Sequence, residues 1–396
     1  MKEWKMIKRY KEIQALRQRG EVVGYPLYLS SNKLGKLIPS IPKGKCVQVT
    51  ASTNVGKSQF WRWYFLISPF IIYKSNPEAK FIPRFIIFLL EETYEQLYDT
   101  LVANFIFIKF KKIVEPGKLT GLSETIITDE ELKLSEQVIP LVEELMSLCA
   151  VIDNVYHPTG LFSNAKKVML ENGKRFYTTL KPSEEVITEE KYKTFSDEKK
   201  KLYKFKTYIQ NNSLEYFFVI TDNVNLIEGE KKDGILLNEH QAIWRWSTEY
   251  AHHQLQKNYG CIIIDIVQQA AAAENKQYTM KGDNIIEKLK PSRDNYGENK
   301  KIARNADVIL GLFAPSFYGV KDYWKSPSSD GYNLKKIGDY FRTIIILKNR
   351  IGKGFKEIPL FFNGAVNYFA ELNNDITTSE ESLINKGMYQ KSFKKL

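Results

Sequence analysis

Residues 46–65, CVQVTASTNVGKSQFWRWYF, constrain the fold of this chain more than any other stretch. A short β-branched run enters a small, polar turn, which leaves through Lys57 and Ser58 into an aromatic, amphipathic segment. This order predicts a strand, a loop and a helix, in which loop and helix N–H groups bind phosphate. Lys57 would reach the β- and γ-phosphates, and Ser58 would ligate Mg²⁺. The predicted nucleotide-binding residues are Ala51, Ser52, Thr53, Asn54, Val55, Gly56, Lys57 and Ser58.

This motif departs from its usual form at one position, because Ala51 replaces the first glycine. Alanine is the smallest substitute, so the loop can still close. Gly-Lys-Ser alone is a weak signal, and an ordinary strand-to-helix turn is the alternative. The strand before the motif and the helix after it favour phosphate binding.

The composition predicts a soluble protein with a large core. The 396 residues, 43% hydrophobic and 26% charged, suffice for one large domain with a small appendage. The net charge of +12 favours a polyanionic partner such as nucleic acid, although lysine used for solubility gives the same balance.

The cysteines, the histidines and the apolar runs favour a cytoplasmic protein without a zinc site. Three widely spaced cysteines in apolar runs (Cys46, Cys149 and Cys261) are typical of reduced core residues. The four histidines lack zinc-ligand spacing. No run predicts a signal peptide or a membrane span.

Three apolar runs end in polar side chains, which predicts a ligand-binding edge. Continuous apolar runs are expected of strands buried on both faces of a parallel sheet, and ligands bind at the carboxyl ends of such strands. Glu91 or Glu92 could be a general base for water, or either could simply cap the next helix. Asp222 has the position expected of an acid that holds Mg²⁺ through water. The polar residues after the runs are Glu91, Glu92, Asp222, Gln268 and Gln269.

Four other segments give weaker signals. Residues 3–19 predict a short amphipathic helix that docks either on a neighbouring subunit or on its own core. The polar stretch 171–204 predicts an insertion with a hairpin at 175–180 and a charged helix at 189–202. The lysine-rich segment 270–301 predicts a long loop on the ligand edge. Residues 357–362 and 365–369 predict a hairpin closed by a two-residue Asn-Gly turn, followed by a frayed tail.

A series of blocks in this order resembles the ATPase domain of DnaB-type hexameric replicative DNA helicases, a branch of the RecA-like phosphate-loop fold. Alanine at the first loop position is common in that family. The resemblance covers about residues 24–372. The blocks are ASTNVGKS (51–58), FLLEETYEQL (88–97), ITDNVNLI (220–227), DIVQQ (265–269), ARNADVI (303–309), KNRIGKG (348–354) and FFNG (361–364).

The resemblance implies a role for individual residues, with ATP and Mg²⁺ as cofactors. Glu91 becomes the residue that activates water, and Asp222 becomes the Walker B acid, a metal ligand together with Ser58. Gln268 would couple the nucleotide state to DNA. Lys348 and Arg350 would reach the γ-phosphate bound by the adjacent subunit, as an arginine finger in trans. The DNA-contacting loop falls near 295–300, with Arg293, Lys300 and Lys301 as its candidate DNA-binding residues.

The implied architecture is an α/β, RecA-like phosphate-loop NTPase core with a mainly parallel sheet flanked by helices, a C-terminal β-hairpin and a short N-terminal linker helix. We expect a linker helix at 1–23, an ATPase domain at 24–373 with the insertion at about 171–204, and a polar tail at 374–396. From the resemblance we expect a member without the separate N-terminal domain that others use to engage primase. This reduced form and the Lys-, Asn-, Ile- and Tyr-rich composition suggest a bacteriophage or another mobile element, and hence the host cytoplasm.

The implied function is a ring-forming, ATP-dependent helicase on single-stranded DNA. Its partners would be further copies of the chain, forming a hexamer, with primase and a helicase loader as additional candidates. A RecA-like recombinase or filament-forming ATPase is the alternative within the fold. A helicase-derived protein that binds nucleotide only for assembly is the alternative from another class.

Overall fold

The computed structural model describes residues 5–18, 23–26, 33–76, 81–180, 185–232, 235–269, 287, 289–293, 302–324, 331–352, 354 and 356–391. The strands are β1 (Cys46–Ala51), β2 (Ile82–Leu89), β3 (Cys149–Ile152), β4 (Gly173–Thr179), β5 (Val186–Thr188), β6 (Tyr203–Gln210), β7 (Glu215–Asp222), β8 (Lys231–Lys232), β9 (Ile235–Leu236), β10 (Ile262–Gln268), β11 (Val308–Phe313), β12 (Asp322–Tyr323), β13 (Tyr332–Asn333), β14 (Phe341–Asn349), β15 (Glu357–Asn363) and β16 (Tyr368–Glu371).

The helices of the same residues are α1 (Lys5–Gln18), α2 (Lys33–Leu37), α3 (Lys57–Trp61), α4 (Ser68–Lys74), α5 (Tyr94–Phe110), α6 (Pro116–Leu119), α7 (Asp129–Met146), α8 (Pro158–Glu171), α9 (Glu189–Lys193), α10 (Asp197–Lys200), α11 (Glu239–Trp244), α12 (Leu334–Ile337) and α13 (Thr378–Asn385). Two π-helical stretches, Arg62–Ile67 and Arg245–Gln256, continue α3 and α11.

Nine strands form one mixed sheet in the order β16-β15-β14-β11-β1-β10-β7-β2-β3. The six strands from β11 to β3 are parallel, and β14, β15 and β16 join them antiparallel. Leu89 lies opposite Asp222, and Ala51 lies opposite Gln268. The carboxyl ends of β1, β2, β7 and β10 therefore meet at one edge, and the predicted mainly parallel sheet flanked by helices is confirmed.

Each face of the sheet is covered by helices, which explains the continuous apolar runs. Val49, Phe85 and Ile264 face one core, which includes the aromatic residues of α3 and its continuation. Phe88 and Ile263 face a second core, together with residues of α8 and of the helix that begins at Glu239. The central strands are buried on both sides and hold their ends in fixed positions at the sheet edge.

The polar stretch after α8 forms a three-stranded antiparallel sheet in the order β5-β4-β6. The limits 171–204 stay a prediction, and this sheet extends to Gln210. The predicted charged helix at 189–202 is wrong, because Ser196 caps a new short helix and accepts a hydrogen bond from the Lys199 N–H. The Arg175 guanidinium packs against aromatic rings and forms an ion pair with Glu189 at 3.1 Å.

The C-terminal hairpin is present, but its predicted two-residue turn is wrong. Asn363 Oδ1 accepts a hydrogen bond from the Ala365 N–H at 3.0 Å and starts a single 3₁₀ turn. Asn367, with φ of 50°, then closes the connection. A side-chain acceptor at Asn363 offers the backbone a longer turn than the Asn-Gly pair alone predicts.

Between residues 374 and 391 the chain is not frayed as predicted, because α13 lies there. Thr377 and Glu380 form a capping box at the start of this helix. Ile384 and Tyr389 are buried, and the Tyr389 ring packs against Phe361. At the other end of the chain, α1 confirms a helix close to the predicted range 3–19, and its docking stays a prediction.

Candidate functional site

A cleft of about 730 Å³ opens at the carboxyl edge of the sheet. It contains loop residues after β1 and the polar residues after β2, β7 and β10, so the sheet brings together the groups predicted to bind nucleotide. Residues of α5, of α6, of β15 and of the β15–β16 connection complete its walls. The lining residues are Thr53, Asn54, Gly56, Lys57, Ser58, Gln59, Arg62, Glu91, Glu92, Gln96, Thr100, Pro116, Gly117, Thr120, Leu122, Asp222, Gln268, Phe362 and Gly364.

The loop between β1 and α3 is held by contacts from β14 and β15. Arg342 Nε donates a hydrogen bond to the Val55 carbonyl oxygen at 3.0 Å, and its guanidinium lies 4.8 Å from the Phe362 ring centre. Gly56 has φ of 105°, and a Cβ there would lie 2.8 Å from the Phe362 ring. Only glycine satisfies both the backbone conformation and this approach. Lys57 Nζ donates to the Ser52 carbonyl oxygen at 3.0 Å, within the loop.

Asp222 is the buried carboxylate of the cleft, with 2% of its surface exposed. Trp61 Nε1 donates a hydrogen bond to Asp222 Oδ2 at 2.6 Å. Asp222 Oδ1 has no hydrogen-bond partner among the described residues. A buried carboxylate oxygen without a partner, with the Ser58 hydroxyl in the same cleft, fits the oxygen ligands that Mg²⁺ prefers. Within the described part of the chain, no group of three or more His, Cys, Asp or Glu side chains could hold a metal ion.

Glu91 and Glu92 occupy different environments, which separates their roles. Glu92 forms an ion pair with Arg62, whose Nη1 also donates to Asn367 Oδ1 at 3.1 Å. Glu91 is exposed to the cleft and accepts a hydrogen bond from Asn223 Nδ2. Neither glutamate caps α5, because Thr93 does so with Gln96. The helix-capping alternative is therefore wrong, and Glu91 is the carboxylate that water can reach.

The pKa of Glu91 is raised by partial burial and then by the negative charge of Asp222. The hydrogen bond from Asn223 and the charges of Lys57 and Arg62 offset part of this increase in the pKa. A carboxylate whose pKa lies above its usual value is a better proton acceptor at neutral pH. The cleft can thus supply both a base and the groups that bind phosphate.

Gln268 and Gln269 end the strand β10 beside the loop. The Gln268 N–H donates to Asn225 Oδ1 at 2.8 Å, and its side chain lines the cleft. Gln269 is buried, and its Oε1 accepts a hydrogen bond from Ser52 Oγ at 3.2 Å. Gln269 therefore supports the loop between β1 and α3, whereas Gln268 lines the cleft.

Two solved structures share this architecture. The fold is RecA-like. One of them, the structure of an isolated ATPase domain, is 15% identical with a TM-score of 0.58, over 93% of this chain and 97% of that chain. A DnaB-like replicative helicase, solved in a study of its interactions with primase, is 14% identical with a TM-score of 0.60, over 94% of this chain and 69% of that chain. No protein-family model and no curated protein matches the sequence.

The RecA-like sheet places Lys348 and Arg350 away from the cleft of their own chain. β14 runs antiparallel to β11, and its last residues lie opposite Val308 and Ile309 at the amino end of β11. Lys348 Nζ donates to the carbonyl oxygens of Ala303 at 2.9 Å and Arg304 at 3.2 Å, and Arg350 is exposed. The two predicted finger residues therefore lie at the edge opposite the cleft.

The predicted DNA-binding residues are only partly described. Arg293 is exposed, and its charge contributes, after burial and Arg350, to the lowered pKa of Lys348. Lys300, Lys301 and most of the segment 270–301 lie outside the described residues. None of the described helices is long and apolar enough to cross a membrane.

Sequence reasoning misses several side chains that shape the RecA-like cleft. The sequence places Trp61 and Arg62 only on an apolar helix face, although their polar atoms reach Asp222 and Glu92. It places Arg342 only in a strand, whereas the contact of Arg342 with the loop between β1 and α3 spans 287 positions of sequence. Asn223 and Asn225 follow Asp222, the predicted Walker B acid, and two amide side chains at the end of an apolar strand are a usable signal.

Proposed function

We propose that this chain is an ATP-dependent DNA helicase that acts as a ring of identical subunits. One observation supports this most strongly. The groups that would bind triphosphate and activate water line one cleft, whereas Lys348 and Arg350 lie at the opposite edge of the same sheet. A head-to-tail arrangement of copies would bring Lys348 and Arg350 of one subunit to the cleft of the next.

ATP would bind with its phosphates in the loop between β1 and α3. The loop N–H groups and the start of α3 bind the phosphate oxygens, and Lys57 contacts the β- and γ-phosphates. Ser58 and Asp222 would hold Mg²⁺, which neutralises charge on the phosphates. Trp61 fixes the orientation of the Asp222 carboxylate through its 2.6 Å hydrogen bond.

Glu91 would act as the general base. It accepts a proton from water while the water oxygen attacks the γ-phosphorus, and the bond from that phosphorus to the β,γ-bridging oxygen breaks. The products are ADP and inorganic phosphate. Arg62 holds Glu92 in an ion pair and Asp222 is buried, which leaves Glu91 as the exposed acidic side chain among the three that line the cleft.

A neighbouring subunit would supply Lys348 and Arg350. Their charges would offset the negative charge that develops on the γ-phosphate, as an arginine finger does. Hydrolysis would then change the contact between two subunits, and the DNA loops would move relative to one another. The Asn349 side chain supports the turn after β14 through its hydrogen bond from the Ile351 N–H at 3.1 Å.

Single-stranded DNA would be the substrate strand, contacted by basic residues of the segment 270–301. The net charge of +12 and the candidates Arg293, Lys300 and Lys301 support a polyanionic partner. The helicase solved in the study with primase supports primase as a further partner, and a loader is proposed with it. The site of action would be the cytoplasm, that of the host if a phage encodes the chain.

Electron microscopy of the purified protein with a nonhydrolysable ATP analogue and single-stranded DNA tests the proposal. We expect closed rings with DNA in the central channel, and strand separation of a forked duplex when ATP is supplied. Lys57→Ala protein is the control, because it should form no nucleotide-dependent rings. Filaments on DNA without strand separation would favour the recombinase alternative, and nucleotide binding without hydrolysis would favour the assembly protein.

A further inference from the structure

The segment that follows the Walker B acid connects two parts of the cleft. Asn223 is 1% exposed, and its Nδ2 donates a hydrogen bond to Glu91 Oε1. Its Oδ1 accepts a hydrogen bond from the Asn225 N–H at 2.8 Å, at the start of the short 3₁₀ turn Val224–Leu226. The amide oxygen and nitrogen of Asn223 thus have different partners, which fixes the orientation of the side chain.

Asn225 continues this network to the next strand. Its Oδ1 accepts the hydrogen bond from the Gln268 N–H at 2.8 Å. Gln268 is the last residue of β10, and the lysine-rich segment begins two residues later. Three consecutive hydrogen bonds therefore join the Glu91 carboxylate to the end of β10.

We propose that Asn223 and Asn225 are positioning residues that aim the Glu91 carboxylate and tie it to the backbone of Gln268. A displacement of the end of β10, such as DNA bound to the following segment would cause, then changes the position of Glu91. The inference rests on the proposed function, because the aim of Glu91 matters only if this chain hydrolyses ATP. We name this three-bond connection the asparagine bridge.

The environment of Glu91 explains why it needs such a contact. Asn223 is its sole hydrogen-bond partner within the described ranges, and the residue is only partly buried. An exposed glutamate has several rotamers, and a base must lie within about 3 Å of the proton that it removes. A misplacement of about 1 Å can lower the rate about 10²-fold.

Replacing asparagine by aspartate should have different effects on kcat at positions 223 and 225. Asn223→Asp keeps the oxygen that accepts from the Asn225 N–H but loses the donor to Glu91. Asn225→Asp keeps the oxygen that accepts from the Gln268 N–H. We expect Asn223→Asp to lower kcat for ATP about 10²-fold. Asn225→Asp should retain more than about half of the wild-type kcat, since its acceptor remains.

Two alanine variants distinguish loss of the asparagine bridge from the effect of an added negative charge and from misfolding. Asn223→Ala adds no charge and should lower kcat as Asn223→Asp does. Asn225→Ala should lower the stimulation of hydrolysis by single-stranded DNA, which Asn225→Asp should retain. In every variant the Kd of a nonhydrolysable ATP analogue should stay within about threefold of wild type, since the bridge acts on the base rather than on nucleotide binding. An increase in Kd that accounts for the whole loss of kcat/KM would overturn the proposal.

A double-mutant cycle with Glu91→Gln decides whether the bridge acts through this base. In the Glu91→Gln background, Asn223→Ala should lower kcat less than about threefold, because the group that it aims is already absent. Equal losses in both backgrounds would show that Asn223 acts independently, and the bridge would be rejected while the proposed function stands. If Glu91→Gln alone leaves hydrolysis unchanged, the assignment of the base in the proposed function is wrong, and the asparagine bridge is then rejected as well.

Discussion

The two edges of the main sheet carry different kinds of polar groups. At the carboxyl edge, Glu91, Asp222 and Gln268 each have a side-chain or backbone hydrogen bond to a neighbouring element. At the amino edge, Arg350 is exposed and Lys348 Nζ donates hydrogen bonds to the backbone carbonyl oxygens of Ala303 and Arg304. The first edge is built to receive a ligand, whereas the second presents positive charge outward.

This difference follows from strand direction. The carboxyl ends of parallel strands meet at one edge, so acids that follow separate strands converge. β14 is antiparallel to its neighbour β11, so the residues that follow it emerge at the other edge. One chain therefore separates the groups proposed to bind ATP from the basic groups proposed to stabilise its hydrolysis. The comparison of edges predicts that two chains share each active site.

The largest expected effect tests this sharing directly. Arg350→Ala should still bind ATP but hydrolyse it about 10³- to 10⁵-fold more slowly, as measured for arginine fingers. Lys57→Ala should lose ATP binding, measured by isothermal titration. A mixture of the two inactive proteins should regain part of the activity, because a site with Lys57 can then face a neighbour with Arg350.

The mixing experiment needs proof that mixed oligomers form, which native mass spectrometry with one isotope-labelled variant provides. Exposed Arg304→Ala is a matched control, since it removes a nearby basic side chain and should leave hydrolysis within about twofold. If mixed oligomers form and no ratio restores hydrolysis, the active site is not shared between chains.

The second prediction compares two adjacent acids of the carboxyl edge. Glu91→Gln should bind ATP and assemble normally but lower kcat about 10²- to 10⁴-fold, as removal of a general base does. Glu92→Gln should instead lower the free energy of unfolding by up to about 3 kcal/mol, because it breaks the largely buried ion pair with Arg62. Steady-state hydrolysis and urea unfolding measure the two effects. A large loss of kcat in Glu92→Gln with Glu91→Gln unaffected would reverse the assignment.

The convergence at the carboxyl edge could be predicted from sequence because it depends on local signals. Apolar runs ending in Glu91, Asp222 and Gln268 are each visible within about ten residues. The contacts of Arg342 with Val55 and of Trp61 with Asp222 join positions 287 and 161 residues apart, and no local pattern encodes them. The sequence also places Lys348 and Arg350 correctly at a strand end, but the edge at which they emerge depends on the antiparallel direction of β14.

The third prediction concerns the lysine-rich segment that follows the carboxyl edge. If Lys300 and Lys301 contact DNA phosphates, the slope of log K against log salt should fall by about 0.7 for each lysine removed. Fluorescence anisotropy with a single-stranded oligonucleotide at several salt concentrations measures this slope. Lys204→Ala in β6 is a matched control, because its side chain is exposed on the separate three-stranded sheet. An unchanged slope in both lysine variants would exclude them as phosphate contacts.

The last prediction concerns the region between the two edges, where a polar row crosses the buried middle of the sheet. Gln48, Asp265 and Thr221 are register neighbours on β1, β10 and β7, and each is at most 1% exposed. Asp265 Oδ1 has no hydrogen-bond partner within the described residues. Burial raises the pKa of Asp265 to about 7, and the nearby Trp246 indole offsets only part of this increase.

The raised pKa of Asp265 determines whether the free energy of unfolding rises or falls with pH. The unfolded chain loses this proton near pH 4, whereas the folded chain keeps it until about pH 7. Between these values the folded state binds more protons, so the contribution of Asp265 to stability falls as pH rises, by about 4 kcal/mol at most.

Asp265→Asn resembles the protonated acid and removes this dependence. The variant should gain stability relative to wild type between pH 5 and pH 8 in urea unfolding, with ATP hydrolysis little changed, since this side chain does not line the cleft. A difference in unfolding free energy that stays constant across this pH range would mean that Asp265 is ionised in the folded protein, and that the middle of the sheet holds a charge as the two edges do.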